Sequence, residues 1–346
     1  MAAYTTIDDP EKYFQCRAYT GNGADGHAIT FDGDSDLSPN LLWFKGRAAP
    51  DSGSAAHRLL DTVRGITQAL PSHDTDGQFV ESGDGISSVD TDGFTLQINS
   101  GNDYNSSSKT YVCWAWKESA DAGFDILTYT GNNTTRTISH NLSAVPKVMI
   151  FKETSKNGGN WVVYHGANTS APETDLLLLN NTNATADDDS AWNDTAPTSS
   201  VFTLGDGDGG GDNNEDGVTM IGYLWAEKQG YSKFGTYEGN NNASGPYIYL
   251  GFKPAWFMTK KSNGSKDWNI YDNKRSDSGG GNPNDQYLEA NNNGAEQSGQ
   301  DVDFLSTGVK IRSTSSEVNG DDNTFIYMAF AESPLANSNG VPCNAE

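Results

Sequence analysis

The chain has 346 residues, with 22 Lys plus Arg against 46 Asp plus Glu, a formal charge of 22 − 46 = −24 and a pI near 4.3. A surface this negative repels phosphate backbones and anionic lipid, which argues against direct nucleic-acid or membrane-surface binding, and no apolar run of about 18 residues is present to cross a bilayer. Only 35% of residues are hydrophobic, but 8 Trp, 15 Tyr and 14 Phe supply large buryable surfaces, so the composition describes a folded chain with a thin aromatic core rather than a disordered one.

The N-terminal arm, residues 1–11, has neither the basic nor the apolar segment of a secretory signal, so synthesis in a reducing cytoplasm is expected. Cys16, Cys113 and Cys343 are odd in number and widely spaced, which makes neither a disulfide framework nor a zinc site. Cys113 sits among aromatics and reads as a small buried hydrophobe.

From residue 12 onward the chain repeats itself with a period of about 108 residues. Three markers recur in the same order. The first is Tyr-x-Gly-Asn, beginning at Tyr19, Tyr129 and Tyr237. The second is a proline followed six residues later by lysine, with apolar residues between: Pro39 to Lys45, Pro146 to Lys152 and Pro254 to Lys260. The third is a closing aromatic run that ends in glutamate at Glu118, Glu227 and Glu332. These markers divide the chain into units 12–119, 122–229 and 231–333, followed by a tail, 334–346.

Within each unit the pattern predicts about five strands. Phe124–Tyr129 opens the second unit with β-branched and aromatic residues before a Gly-Asn turn. The proline-to-lysine run is a short apolar strand that tolerates proline at its start. A middle strand follows at Asn160–Tyr164 and Asp267–Tyr271, and a fourth at Gly93–Gln97, Val201–Leu204 and Gly308–Arg312. In the first unit His57–Asp61 departs from this pattern, and Ala55–Gly65 is the one plausible short helix. The closing strand alternates, with Val112, Trp114 and Trp116 on one side, which predicts one row of large side chains on a core face. The fold expected is all-β: three tandem homologous antiparallel β-sandwich units. The segments 65–90, 165–197 and 275–301 differ between units and are expected to be long loops presented by an equivalent scaffold.

Few residues carry chemistry. Gly21 to Gly26 matches G-x-G-x-x-G, but a strand follows it rather than a helix, which rejects nucleotide binding. No Gly-x-Ser-x-Gly is present, and the five histidines form no metal pair. The repeated Glu118, Glu227 and Glu332 are expected to satisfy backbone groups or to pair with Lys45, Lys152 and Lys260. A glycosidase needs two carboxylates facing one sugar, and one carboxylate per unit does not supply them. No catalytic residue and no cofactor is expected, with Ca²⁺ the one ion considered. Its candidate ligands are Asp32, Asp34 and Asp36 in one acidic turn, and Asp206, Asp208 and Asp212 in another. Trp161 and Trp268 hold matching positions and read as core, whereas Trp192, in a long polar segment, is the candidate for stacking on a sugar ring.

The opening Thr5 to Gln15, Pro39 to Lys45, Trp192 to Phe202, Tyr231 to Asn240 and Trp268 to Arg275 together resemble a family of virion structural proteins of marine tailed bacteriophages, commonly labelled tail fibre. The resemblance runs from about Tyr4 to Ser338 and carries no catalytic residues. It implies a virion-exterior protein made in the bacterial host cytoplasm, with other tail or capsid proteins as partners, homo-oligomeric in the virion, and a host-surface glycan as a further partner. A head decoration protein is the alternative, and a glycan-active enzyme a distant third. Three units in one chain would mimic a trimer and suit a threefold site.

Overall fold

The computed structural model describes residues 3–48, 56–81, 83–98, 104–207, 212–276 and 281–343. The first third of the chain forms β1 (Phe14–Thr20), β2 (His27–Ile29), β3 (Leu41–Gly46), β4 (Arg58–Asp61), β5 (Gln68–Ala69), β6 (Phe79–Val80), β7 (Gly85–Val89), β8 (Phe94–Gln97) and β9 (Thr110–Trp116). The second forms β10 (Phe124–Thr130), β11 (Arg136–Ser139), β12 (Val148–Glu153), β13 (Val162–His165), β14 (Asp175–Leu178), β15 (Ala186–Asp187), β16 (Val201–Leu204) and β17 (Thr219–Trp225). The last forms β18 (Ser232–Glu238), β19 (Tyr247–Tyr249), β20 (Phe252–Lys261), β21 (Trp268–Asp272), β22 (Asn284–Glu289), β23 (Gln297–Leu305), β24 (Gly308–Ile311) and β25 (Thr324–Pro334).

Every strand pairing is antiparallel, and one strand order occurs in all three thirds. The sheets run β1-β9-β3-β4, β10-β17-β12-β13-β14-β15 and β18-β25-β20-β21-β22, the last continuing through β23 and β24 to β19. The closing strand always lies between the opening strand and the proline-to-lysine strand. Its last aromatic is flanked in the same way each time: Trp116 by Phe14 and Leu41, Trp225 by Phe124 and Val148, Phe330 by Ser232 and Trp256. Smaller sheets, β2-β8-β7 and β11-β16, cover the outer face of the first two.

The closing strands are buried on both faces, not on one. Val112, Trp114 and Trp116 of β9 join a cluster that also takes Ile221, Tyr223 and Trp225 of β17 and Ile326, Met328 and Phe330 of β25. The opposite row, Tyr111, Cys113 and Ala115, faces the first third's own sandwich core. Trp116 lies 5.7 Å from Trp256, 5.6 Å from Phe330 and 6.3 Å from Trp225, so aromatics of all three thirds meet on one axis. The accessible surface is 12368 Å². Surface scaling gives about 13,700 Å² for one globule of this mass and about 18,400 Å² for three separate ones. The thirds, tandem in sequence, are therefore fused round a common core instead of folding as three separate globules.

The Tyr-x-Gly-Asn markers are a corner that recurs in detail. Tyr19 donates its hydroxyl to the Tyr104 carbonyl at 2.9 Å, Tyr129 to that of Asn213 at 2.6 Å and Tyr237 to that of Val318 at 2.8 Å. The next residue in each case, Asn105, Asn214 or Asn319, is fully buried and accepts the N–H of Asn22, Asn132 or Asn240. The glycine is fixed by close approach: a Cβ on Gly131 would lie 2.0 Å from the Glu215 carbonyl oxygen.

Two expectations are corrected. Arg58–Asp61 is strand β4, not helix, because its side chains pack between the axis and the sandwich core, as those of β13 and β21 do. The divergent segments are not structureless loops. They contain β5 to β7, β14 and β15, and β22 and β23. The arm and the tail also meet, since Asp8 accepts from both the Ser338 N–H at 2.5 Å and its hydroxyl at 2.6 Å.

Truncating Trp114, Trp225 or Phe330 to Ala is expected to cost roughly 3–5 kcal/mol each, as for large buried aromatics generally. Urea melts unchanged for all three would show that the axis does not hold the molecule together. Gly131→Ala is expected to cost roughly 1–3 kcal/mol from overpacking against backbone, read in the same melts.

Candidate functional site

The thirds contact one another in a cycle, and the contacts are polar as well as apolar. On the first seam Asp61 of β4 accepts the Tyr223 hydroxyl of β17 at 2.7 Å and the Arg64 guanidinium at 2.6 Å. On the second, His165 of β13 donates Nε2–H to the Tyr327 carbonyl of β25 at 3.0 Å. On the third, Asp272 of β21 accepts Trp114 Nε1–H of β9 at 2.8 Å and the buried Arg275 at 2.5 Å. Arg275 and Arg47 both bind Glu296, at 2.7 and 2.6 Å, which ties the last third back to the first. Asp61, His165 and Asp272 hold the same register position, opposite Leu41, Val148 and Trp256.

The divergent segments belong to these seams. Trp161 donates to the Pro71 carbonyl and Trp268 to that of Leu178, while His57 occupies that place on the third seam and donates to Glu289. Lys152 and Lys260, buried at the end of their strands, reach back to the Thr75 and Thr182 carbonyls of the preceding third. Lys45 is equally buried and donates to its neighbour's carbonyl, Gly46. Burial pulls Lys45 down to about 7 and Lys152 and Lys260 to about 8.

A cleft of about 410 Å³ opens on the third seam, beside the place where the arm and tail meet. Its wall carries Glu11, Asp32, Lys253, Lys274 and Glu332, with Cys16 below them. Asp32 bridges Lys274 at 2.9 Å and Arg17 at 2.6 Å, and Glu332 bridges Lys253 at 3.3 Å and Asn273 at 2.8 Å. Burial raises Glu11 and pushes the Cys16 thiol far up, which disfavours its thiolate. Asp32 and Glu332 are paired with lysines, while Glu11 accepts the Asp34 N–H.

Comparison with the sequence-predicted residues is mixed. Trp161 and Trp268 are buried in the axis cluster, as expected. Trp192 is 1% exposed, packed on Phe151 and Tyr164, and donates to the Asp175 carbonyl, so it is a core residue and has no face for a sugar. Glu118 and Glu227 accept the backbone N–H of Ile126 and Phe234, which satisfies the backbone; neither is bonded to a lysine of the repeated set. Among the described residues no group of three His, Cys, Asp or Glu could hold a metal ion. Asp32 is taken by its two cations, Asp34 and Asp36 point to solvent, and Asp212 accepts from Asn160 at 2.9 and 2.8 Å. Asp206 belongs to no such group of three among the described residues, and Asp208 lies outside them. The buried Asn105, Asn214 and Asn319 escaped the sequence reading, although their spacings, 109 and 105, equal those of the closing glutamates.

A model of a domain of unknown function, DUF7483, matches residues 9–334. The chain belongs to that family. No curated protein and no solved structure matches it.

Both seam histidines are held neutral. Burial lowers His165 to about 4 and, with the charge of Lys45, lowers His57 far below its ordinary value. Their Nδ1 atoms accept from Ala167 N–H and Trp43 Nε1–H, so an added proton would face a donor. The unfolded chain takes up these protons near pH 6.5 and the folded chain does not, so their stabilisation is present above 6.5 and lost as pH falls toward 4. The urea midpoint is expected to drop between pH 7 and about pH 5, and His57→Gln with His165→Gln is expected to flatten that slope. An equal slope in parent and variant would assign the acid sensitivity elsewhere.

Proposed function

We propose that this protein is a non-enzymatic component of a bacteriophage virion exterior, a tail appendage that attaches the particle to its host and docks on a threefold-symmetric partner. The observation that carries this reading is the cyclic arrangement of three equally ordered sheets round one aromatic axis. A single chain built this way offers three similar faces to a threefold site, which a trimer would otherwise supply. The sequence resemblance to marine phage structural proteins supports it, as do the acidic surface and the Asp32–Lys274 and Glu332–Lys253 ion pairs at the cleft. On this reading the partners are other virion proteins and a glycan of the host surface, and the protein is made in the host cytoplasm.

One observation favours a second reading. The divergent segments are engaged in the seams instead of standing free, which suits a decoration protein on the head.

Virions lacking the protein separate the two. Attachment predicts that adsorption to host cells falls at least about tenfold and that label falls on the tail. Full adsorption, with the protein recovered on tailless heads, would replace the attachment reading with decoration.

A further inference from the structure

Tyr247 and Tyr249 stand on the outer face of β19, 45% and 53% exposed, at the free edge of the sheet that ends β23-β24-β19. They are the only large aromatics among the exposed hydrophobic residues of the described chain. The inward residue between them, Ile248, is matched by Ile29 and Ile138 in the other thirds, each opposite the equivalent fourth-strand residue: Val309, Phe94 and Phe202. Flanking those isoleucines are Ala28 and Thr30 in the first third and Thr137 and Ser139 in the second, all exposed. The fold is thus built twice with small residues at these places. The two rings in the last third answer no need that the others share: Tyr249 meets the Tyr4 hydroxyl of the arm, yet both rings remain half exposed, which forgoes burial that large rings otherwise gain.

The surroundings indicate what they would hold. Lys233 Nζ sits 5.2 Å from the Tyr249 ring centroid and donates to the Tyr249 carbonyl at 2.9 Å. Lys310 lies directly across the ladder from Tyr247 and donates to the Ser244 carbonyl at 3.0 Å. Two ammonium groups flank the rings on a chain whose net charge is −24. The adjacent carboxylate on β23, Asp303, is held by Arg312 at 3.2 Å. Tyr247 and Thr307 share a hydroxyl contact at the rim, and the Tyr247 hydroxyl lies over Gly308, the residue opposite Tyr249. Side chains two apart on a strand lie about 7 Å from each other on one face. The result is a pair of half-exposed rings on one strand face with hydroxyl and ammonium groups at its border.

We propose that the Tyr247–Tyr249 face binds an acidic saccharide, its sugar rings against the tyrosines and its carboxylates toward Lys233 and Lys310. A protein partner of ordinary affinity needs a far larger patch with an apolar centre. Each ammonium carries three donors, at least one more than the carbonyls it holds require, and that spare positive donor favours an acidic sugar over a neutral one. The proposal rests on the attachment reading and names its contact surface.

The test uses the full chain, titrated calorimetrically with oligomers of uronic acid and with neutral dextran oligomers of the same length. Saturable binding of the uronate oligomer is expected, weakening with salt, with dextran at least about tenfold weaker. Tyr247→Thr with Tyr249→Ser installs the residues of the second third and is expected to weaken uronate binding about tenfold with an unchanged melt. Undiminished binding by the folded double variant overturns the proposal. So does absence of binding in the parent at roughly 10 mM oligomer, or a parent dimer that the variant dissolves, which would make this face a self-association surface. Equal affinity for dextran overturns the acidic assignment. Adsorption that needs the protein but is not inhibited by uronate oligomers sinks this site and leaves attachment standing. Uronate binding by a protein whose loss leaves adsorption unchanged does the reverse.

Discussion

The structure depends on one constraint: three sheets each have to bury a second face. In an ordinary sandwich the outer face of a sheet is wet, so large residues alternate with polar ones. Here the closing strands β9, β17 and β25 carry aromatic and aliphatic residues outward as well as inward. No third can cover that second face alone. Meeting on a common axis covers all three at once, and it makes a 35% hydrophobic chain sufficient because most of its tryptophan is spent there. The consequence is cooperativity, since removing one third exposes the inner faces of the other two.

Closing a ring of similar sheets creates seams, and seams bring polar groups of side chain and backbone out of water. The chain answers each with a buried polar side chain at one register position: Asp61, His165 and Asp272. Each is satisfied, which matters because an unpaired polar group at such depth costs about 1–3 kcal/mol. The lysines that end the proline-to-lysine strands work in the same way, with their stems in the core and their ammonium groups on carbonyls. Their downward shifts record the burial they endure.

Near-threefold order also shows where the molecule departs from it. The third seam has no covalent linker between closing and opening strands. The arm and tail meet there through Asp8 and Ser338, and the charged cleft lies beside them. The tyrosines of β19 are a second departure, confined to the last third. Functional surfaces are expected at such departures, because a position fixed by packing alone would be filled alike in every third.

The sequence alone determined the strand content, the corners and the sets of equivalent residues, because these follow from local chemistry repeated at a fixed interval. Tyr19, Tyr129 and Tyr237 announce one corner wherever they occur, and Pro39, Pro146 and Pro254 announce one strand. Trp161 and Trp268 were legible as core from their matched positions, while Trp192, which has no counterpart, was read as exposed and is not. The polarity around Trp192 reports its neighbours in sequence, whereas its burial comes from Phe151 and Tyr164, which lie 41 and 28 residues away. Only the tertiary structure decided that the thirds close into a ring, that both rows of a closing strand are inside, and that the variable segments bind the seams. Alternation along a strand separates two faces but does not say whether the second meets water or another sheet, because that depends on residues a hundred positions away.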